Sequence, residues 1–319
     1  MVHDVSVIIP VRNRRAALQR CLDSIPASVN EIVVVDNGST DGTLEWLRDQ
    51  HANVRIVENE ENRGAAEAKN QGVRASRGEY VWFLDSDTVI PESFRLEHAG
   101  GILDADSTVG AVGGEIVVEG DRGKLWRVKV LLANGETETL ELASGYGGLR
   151  DVDYMPSCNM LMRRIDFDRL GGFDPAYFFL VEDTDLCWRI RRMGRRCVVD
   201  DASAVIHEID TEARRGDLFL VHRNRIRFAA LHFSPARLIL LPLLDLLYLF
   251  KPWKLRSLRR GSVSTRKHIS PRLRALGSRP WAFPLQLGAV ASALLWALAR
   301  AYLWNLRHAV ATWRTRMAR

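Results

Sequence analysis

The sequence predicts an α/β protein built on a parallel sheet with helices on both faces. Three observations predict it. Short apolar, β-branched runs recur through the first hundred residues, and helix-like stretches separate them. The runs are also nearly continuous rather than alternating, as expected of strands buried on both faces.

The runs fall at 5–9 (VSVII), 31–35 (EIVVV), 54–57 (VRIV) and 80–84 (YVWFL), with helix-like stretches at about 14–25, 41–50 and 64–75. Thr40 and Asp41 are candidate caps ahead of Leu44 and Leu47, and Gly38 and Gly42 punctuate that turn. Residues 109–162 read as strand-rich, with glycines clustered at 113–114, 120–123 and 145–148. A helix is expected from Glu182 to about Met193, with Leu186, Ile190 and Met193 on its apolar stripe and Gly194 ending it. Short strands at about 196–199 and 203–206 and a helix at about 214–231 follow.

A chain of 319 residues, 47% hydrophobic and 26% charged, is long enough for one large domain with an appendage and too apolar to be disordered. The net charge of +6 conceals an asymmetry. Through Asp245 the chain carries 30 basic and 39 acidic residues; beyond it there are 15 basic residues and no acidic one. A basic tail on an acidic body points to an anionic partner. The four cysteines (Cys21, Cys158, Cys187, Cys197) form no C-x-x-C pair and read as incidental buried thiols in a reducing compartment. A strand begins at once, without a secretory signal pattern, so a cytoplasmic location is expected.

In open parallel sheets, ligands bind beyond the carboxyl ends of the strands. Polar segments stand at four such ends: Pro10-Val11-Arg12-Asn13, Asp36-Asn37-Gly38-Ser39-Thr40, Asn62-Arg63-Gly64 and Asp85-Ser86-Asp87. Each alone is ordinary turn chemistry. Together they suggest a site in which Asp85 and Asp87 hold a hard divalent cation, Mg2+ or Mn2+, beside ligand phosphates. Arg12 and Arg63 could add phosphate or base contacts.

The run VSVIIPVRNR, then VVVDNGSTDGT, ENRGAAEAKNQG, GEYVWFLDSDTVIP and FFLVEDTDLCWRIRRMG resembles the family 2 glycosyltransferases with the GT-A fold, colinearly over roughly residues 5–232. LGGFDPAYFF, Val205-Ile206-His207 and VHRNRIRFAALHFSP look most like the bacterial rhamnosyltransferase and galactofuranosyltransferase branch. The resemblance implies a catalytic domain over 1–232 built on a Rossmann-like mixed sheet, with a nucleotide-binding half to about 105 and an acceptor half after it. It implies that Asp36 contacts the nucleotide base, with Pro10, Arg12, Asn13, Ser86 and Arg63 around the nucleotide sugar. Asp85 and Asp87 match the metal and diphosphate site, Asp183 after Glu182 matches the general base, and His207 matches a histidine that completes the metal shell in some members.

Independently of the resemblance, direct displacement at an anomeric carbon needs a base for the acceptor hydroxyl, and a carboxylate at a helix start among like charges suits that task. Locally, Asp183 suits a helix cap equally well, and His207 a structural strand-end histidine. Trp188 reads as core and stays outside the site.

The tail holds apolar runs at 236–250 and 281–299, separated by residues 251–280 with ten Lys or Arg. The first run is too short to span a bilayer; the second is weakened by Pro284 and Gln286 and has basic flanks on both sides. The expectation is therefore that residues 233–319 form helices lying in a membrane interface at the inner face of the cell membrane. Trp253, Trp281, Trp296, Trp304 and Trp313 would sit at headgroup depth. Packing on the catalytic domain or a homo-oligomer contact is the alternative, and nucleic acid is not expected. The expected activity is inverting transfer from a nucleotide-sugar donor to a glycan or lipid-linked acceptor. A non-catalytic nucleotide-sugar sensor or assembly partner is the competing reading. A nucleotidyltransferase is disfavoured by the lack of a glycine-rich triphosphate loop after the first strand.

Overall fold

A computed structural model describes residues 4–118, 125–126, 129–139, 148–208, 218–249 and 282–319. The chain divides into two compact units: Met1–Leu131 with Thr137–Ile209, and Leu132–Glu136 with Asp210–Arg319. The helix expected at 214–231 is Leu218–His232, and it groups with the second unit rather than with the domain expected to end at 232. Residues 214–217, the glycines at 120–123 and 145–147, Trp281 and the basic stretch 251–280 with Trp253 lie outside the described residues.

In the first unit, β1 (Val5–Val11), β2 (Glu31–Asn37), β3 (Arg55–Asn59) and β4 (Tyr80–Leu84) alternate with α1 (Arg15–Ser24), α2 (Thr43–Gln50) and α3 (Gly64–Ala75). β1 lies between β2 and β4, parallel to both, and β3 is parallel to β2. All four carboxyl ends therefore share one edge. β5 (Thr88–Val89) follows the turn after β4, and α4 (Leu96–Ala105) leads into β6 (Val109–Val118). β7 (Leu125–Trp126) pairs with β6, and β8 (Lys129–Leu131) with β9 (Thr137–Thr139) in a separate small sheet.

Beyond β4 the sheet becomes mixed. With β10 (Leu149–Val152), β11 (Asn159–Arg163) and β12 (Arg196–His207), the main sheet has ten strands in the order β10-β12-β6-β11-β4-β1-β2-β3, β5 and β7 lying off this path. β11 runs antiparallel between β4 and β6, and β12 runs parallel to β6. The two short strands expected at 196–199 and 203–206 are thus one strand. Its pairing jumps from Asp200↔Gly114 to Val205↔Ile116, and the extra residues bulge. Gly114 is required there, since a Cβ would stand 1.7 Å from the Ser203 carbonyl oxygen.

The continuous apolar runs are explained by burial on both faces. Val5, Val7 and Ile9 of β1 pack with Leu18, Trp46 and Leu103, whereas Ile8 packs with Phe83 and Phe173 in a second cluster. Each such side chain contributes about 1.5–3 kcal/mol of burial. α5 (Arg164–Arg169) follows β11, a 3-10 turn spans Pro175–Tyr177, and α6 (Glu182–Arg192) ends as expected at Gly194, whose φ is +81°. At the start of α2, Gly42 is the cap residue. Asp41 supports it by accepting from the Thr43 N–H at 3.1 Å.

The second unit contains α7 (Leu218–His232), α8 (Pro235–Leu249), α9 (Ala282–Arg307) and α10 (Ala309–Ala318). Its buried polar centre is Asp245, the last acidic residue of the chain. Asp245 accepts from Arg225 at 2.8 Å, the Tyr302 hydroxyl at 2.7 Å and the Asn134 amide at 3.2 Å. These bonds offset the desolvation of the Arg225–Asp245 pair. Among the described residues, no helix is long and apolar enough to cross a membrane.

Candidate active site

The carboxyl ends of the parallel strands meet as expected, with two adjustments of boundary. Pro10 lies within β1 rather than after it, and Asp36 and Asn37 are the last residues of β2. Asn13 joins the two ends: its Oδ1 accepts from the Thr40 N–H at 2.7 Å, and its own N–H donates to Ser39 Oγ at 3.0 Å. Asp36 is 1% exposed. Its Oδ1 accepts from the Ser39 N–H at 3.0 Å, while Oδ2 meets no donor among the described residues. A buried carboxylate oxygen in that state is costly unless a ligand supplies the donor.

At the end of β3 the order comes from asparagines. Asn37 Oδ1 accepts from the Arg63 N–H, and Asn62 Oδ1 from the Gly64 N–H, each at 2.9 Å. Gly64 has φ of +84°, and a Cβ there would stand 2.5 Å from the Phe178 carbonyl oxygen. The Arg63 and Arg12 side chains themselves are exposed, and Ser86 is buried.

The three residues expected at the metal site come together through strand register. Asp85 and Asp87 lie in the turn between β4 and β5, and His207 at the end of β12 is paired with Thr88 of β5. His207 Nε2 is 2.8 Å from Asp87 Oδ1 and 3.7 Å from Asp85 Oδ2. The Glu208 N–H donates to the Asp87 carbonyl at 2.9 Å, and Arg20 grips the Glu208 carboxylate, which fixes the strand end. Arg14 donates to Asp87 Oδ2 at 2.5 Å. Donors around an octahedral ion stand roughly 3 to 4.2 Å apart. The Asp85 and His207 donors meet that spacing, so the residues present fit a divalent cation.

Lys69 of α3 links this cluster to the expected base. Its ammonium group is buried, 3.4 Å from Asp85 Oδ1, and donates to Ser157 Oγ at 2.6 Å. Burial works to lower its proton affinity, but Asp85, Glu182 and Asp183 outweigh it, so its pKa is raised. The Ser157 N–H in turn donates to Asp183 Oδ2 at 3.4 Å, and the Tyr154 hydroxyl donates to the same oxygen at 3.1 Å. The Thr184 N–H donates to Asp183 Oδ1 at 2.9 Å, so both carboxylate oxygens are oriented. Burial, then Asp183, pushes the Glu182 carboxyl up to about 8. Burial and the neighbouring Asp183 thus favour the protonated form of Glu182. Val181, just ahead of them, has φ of +74°, a conformation a β-branched residue seldom takes.

Arg14, Lys69, Tyr154, Ser157 and Cys158 were not read as site residues from the sequence. Lys69 alone gave a local signal, a lysine inside the small-residue run GAAEAKNQG. Cys158 is a buried thiol in no disulfide, as expected of the cysteines, yet its sulfur, an Asp85 oxygen and a His207 nitrogen lie within 4.8 Å of one another.

A mixed sheet with a parallel nucleotide-binding type half, carrying paired carboxylates and a histidine at one edge, defines a GT-A protein. The chain belongs to glycosyl transferase family 2, whose family model matches residues 6–171. It is similar to the pre-mycofactocin glycosyltransferase of Mycobacterium tuberculosis, 32% identical over 217 residues, which cover 66% of this chain and 44% of that protein. The chain thus spans under half the length of that relative. A shorter match, 42% identical over 91 residues, links it to glycosyltransferase AglE of Haloferax volcanii, covering 26% of this chain and 30% of that one. Among solved structures, the mannosyltransferase PcManGT from Pyrobaculum calidifontis, in complex with GDP-Man and Mn2+, has a TM-score of 0.57 at 24% identity, covering 95% of this chain and 87% of that one. GalNAc-T7 with UDP, GalNAc and Mn2+ has a TM-score of 0.62 at 17% identity, covering 73% and 48%. Both likenesses are likenesses of fold.

Proposed function

We propose that the chain transfers a glycosyl group from a nucleotide-sugar donor to an acceptor hydroxyl, with inversion and with Asp183 as general base. One observation carries this reading: the Asp85–Asp87–His207 cluster and the Glu182–Asp183 pair meet through Lys69 and Ser157. Sugar activation and proton removal would then share one site. The nucleotide complexes of the two structural neighbours and their Mn2+ support the same reading.

In this mechanism Asp36 offers its unmatched oxygen to a base N–H, and the segments around Pro10, Arg12, Asn13, Arg63 and Ser86 line the nucleotide sugar. A divalent cation held by Asp85, Asp87 and His207 would offset negative charge on the departing nucleoside diphosphate. Asp183, oriented by Tyr154, Ser157 and Thr184, takes the acceptor proton as the hydroxyl oxygen bonds to the anomeric carbon. The bond from that carbon to the diphosphate breaks, and its electron pair leaves with the nucleotide.

The acceptor in this reading is a cell-envelope glycan or lipid-linked intermediate, reached from the cytoplasmic face of the membrane. Supporting it, α8 exposes Ile239, Leu240, Leu243, Leu246 and Leu247, which recur on one helical face. Trp296 and Trp313 are exposed as well, in a stretch with no acidic residue. Thermal stabilisation by a panel of nucleotide sugars, each with Mn2+ or Mg2+, tests the donor assignment. Rhamnose and galactofuranose donors come first because of the motif resemblance. Stabilisation by at least one donor, lost on chelation, is expected; indifference to every donor would count against the reading.

A further inference from the structure

The site contains one donor atom that a hard-cation centre does not call for. Cys158 is the residue before β11 and is 2% exposed. Its sulfur, with one oxygen of Asp85 and one nitrogen of His207, forms a set of three donors all within 4.8 Å of one another. The backbone holds the three together from separate directions. The Cys158 carbonyl accepts from Thr88 Oγ1 at 3.3 Å, Thr88 is in register with His207, and Asn159 is in register with Leu84 beside Asp85. The His207 side chain is fully buried and that of Asp85 is 29% exposed, so the set is open on the Asp85 side. Thiolate, imidazole and carboxylate are all usual ligands of zinc-type centres. Mg2+ and Mn2+ prefer oxygen donors, whereas thiolate with imidazole favours Zn2+ and its neighbours.

We propose that Cys158 is a ligand of this centre, and that with Asp85 and His207 it makes the site bind thiophilic divalent cations of the Zn2+ class in preference to Mg2+. The proposal rests on reading the cluster as a metal centre and goes beyond it in naming a ligand and a selectivity. Binding forms a sulfur–metal bond and releases the thiol proton to solvent. It follows that Zn2+ displaces a harder ion from the site, and that removing the sulfur shifts the preference back toward oxygen-loving ions.

The test is a titration of the metal-free full chain with Cd2+, read by the ultraviolet thiolate-to-cadmium charge-transfer absorption. The expected result is a band that saturates at one ion per chain and is displaced by Zn2+ but not by equal Mg2+. It should be lost in Cys158→Ser, and Cd2+ binding should weaken roughly tenfold or more in His207→Ala. Cys21, Cys187 and Cys197 are present in both variants, so a band of full strength in Cys158→Ser overturns the proposal, as does its absence from the wild type. Should Cys158→Ser fail to fold by circular dichroism, X-ray absorption at the zinc edge of the wild-type chain decides: a sulfur neighbour supports the proposal and an all-nitrogen-and-oxygen shell overturns it. Failure here is separable from failure of the enzymatic reading. Donor cleavage supported by Mn2+ without a cadmium band defeats only the ligand assignment; a Cys158-dependent band without donor cleavage defeats only the activity.

Discussion

His207 Nε2 lies 2.8 Å from Asp87 Oδ1, a contact between residues 120 apart in sequence. It exists because β12 returns along β6 and closes on β5, bringing His207 level with Thr88. The imidazole is thereby fixed against the carboxylate turn by backbone pairing rather than by loop chemistry.

Replacing His207 with alanine should therefore weaken Mn2+ binding by roughly tenfold or more while leaving the sheet intact. Asp87 keeps its Arg14 partner in that variant. Calorimetric titration with Mn2+ checks it, with circular dichroism as the control for folding. Affinity unchanged within twofold (about 0.4 kcal/mol) would remove His207 from the metal site.

Lys69→Met should cost more stability than an exposed lysine would. It leaves Asp85 and Ser157 without their shared cation, and breaking a buried ion pair costs about 3 kcal/mol, here at the low end because Asp85 keeps some hydration. Denaturant unfolding of the metal-free chain measures this. A loss below about 0.5 kcal/mol would show that Lys69 is not holding the two halves of the site together.

The sequence made the strand-end segments legible because each is local: an apolar run followed by Asp, Asn or Arg. Asp36, Asp85 and Asp87 could be read that way. Asp183 and His207 needed the family resemblance, since a helix-start aspartate and a strand-end histidine carry no local mark of chemistry. Arg14, Tyr154, Ser157 and Cys158 were out of reach for a different reason. They enter the site through the segment leading into antiparallel β11 and the cap position of α1, and no local pattern gives that placement. The single strand β12 reads as two for the same cause: residues 200–202 look like a break, and only the partner strand shows that pairing resumes at Val205.

Glu182 gives the chain a signature in pH. Its carboxyl sits at about 8 in the fold against an ordinary value of 4.5, so the folded state binds its proton more tightly than the unfolded chain. Stability from this group is complete below about 4.5 and is lost as pH rises through about 8. Glu182→Gln should remove that slope in the metal-free chain and raise stability at the alkaline end relative to wild type. Urea midpoints measured across this range check it, and parallel curves for the two proteins would contradict the assignment.

The apolar face of α8 and the acid-free stretch after Asp245 should carry the full chain onto vesicles containing anionic lipid, and less so onto neutral ones. Leu243→Glu with Leu247→Glu should reduce co-sedimentation severalfold without changing donor binding. A wild-type chain that ignores anionic vesicles and instead sediments as a dimer would assign this face to a second copy.

In the proposed reaction one site both binds the nucleotide sugar and removes the acceptor proton through Asp183. Comparing nucleoside diphosphate release by wild type and Asp183→Asn, at saturating donor and acceptor with divalent cation, tests it most directly. The variant should bind donor with near wild-type affinity but turn it over roughly 100- to 10,000-fold more slowly. Turnover by Asp183→Asn at the wild-type rate, with donor binding intact, would contradict it.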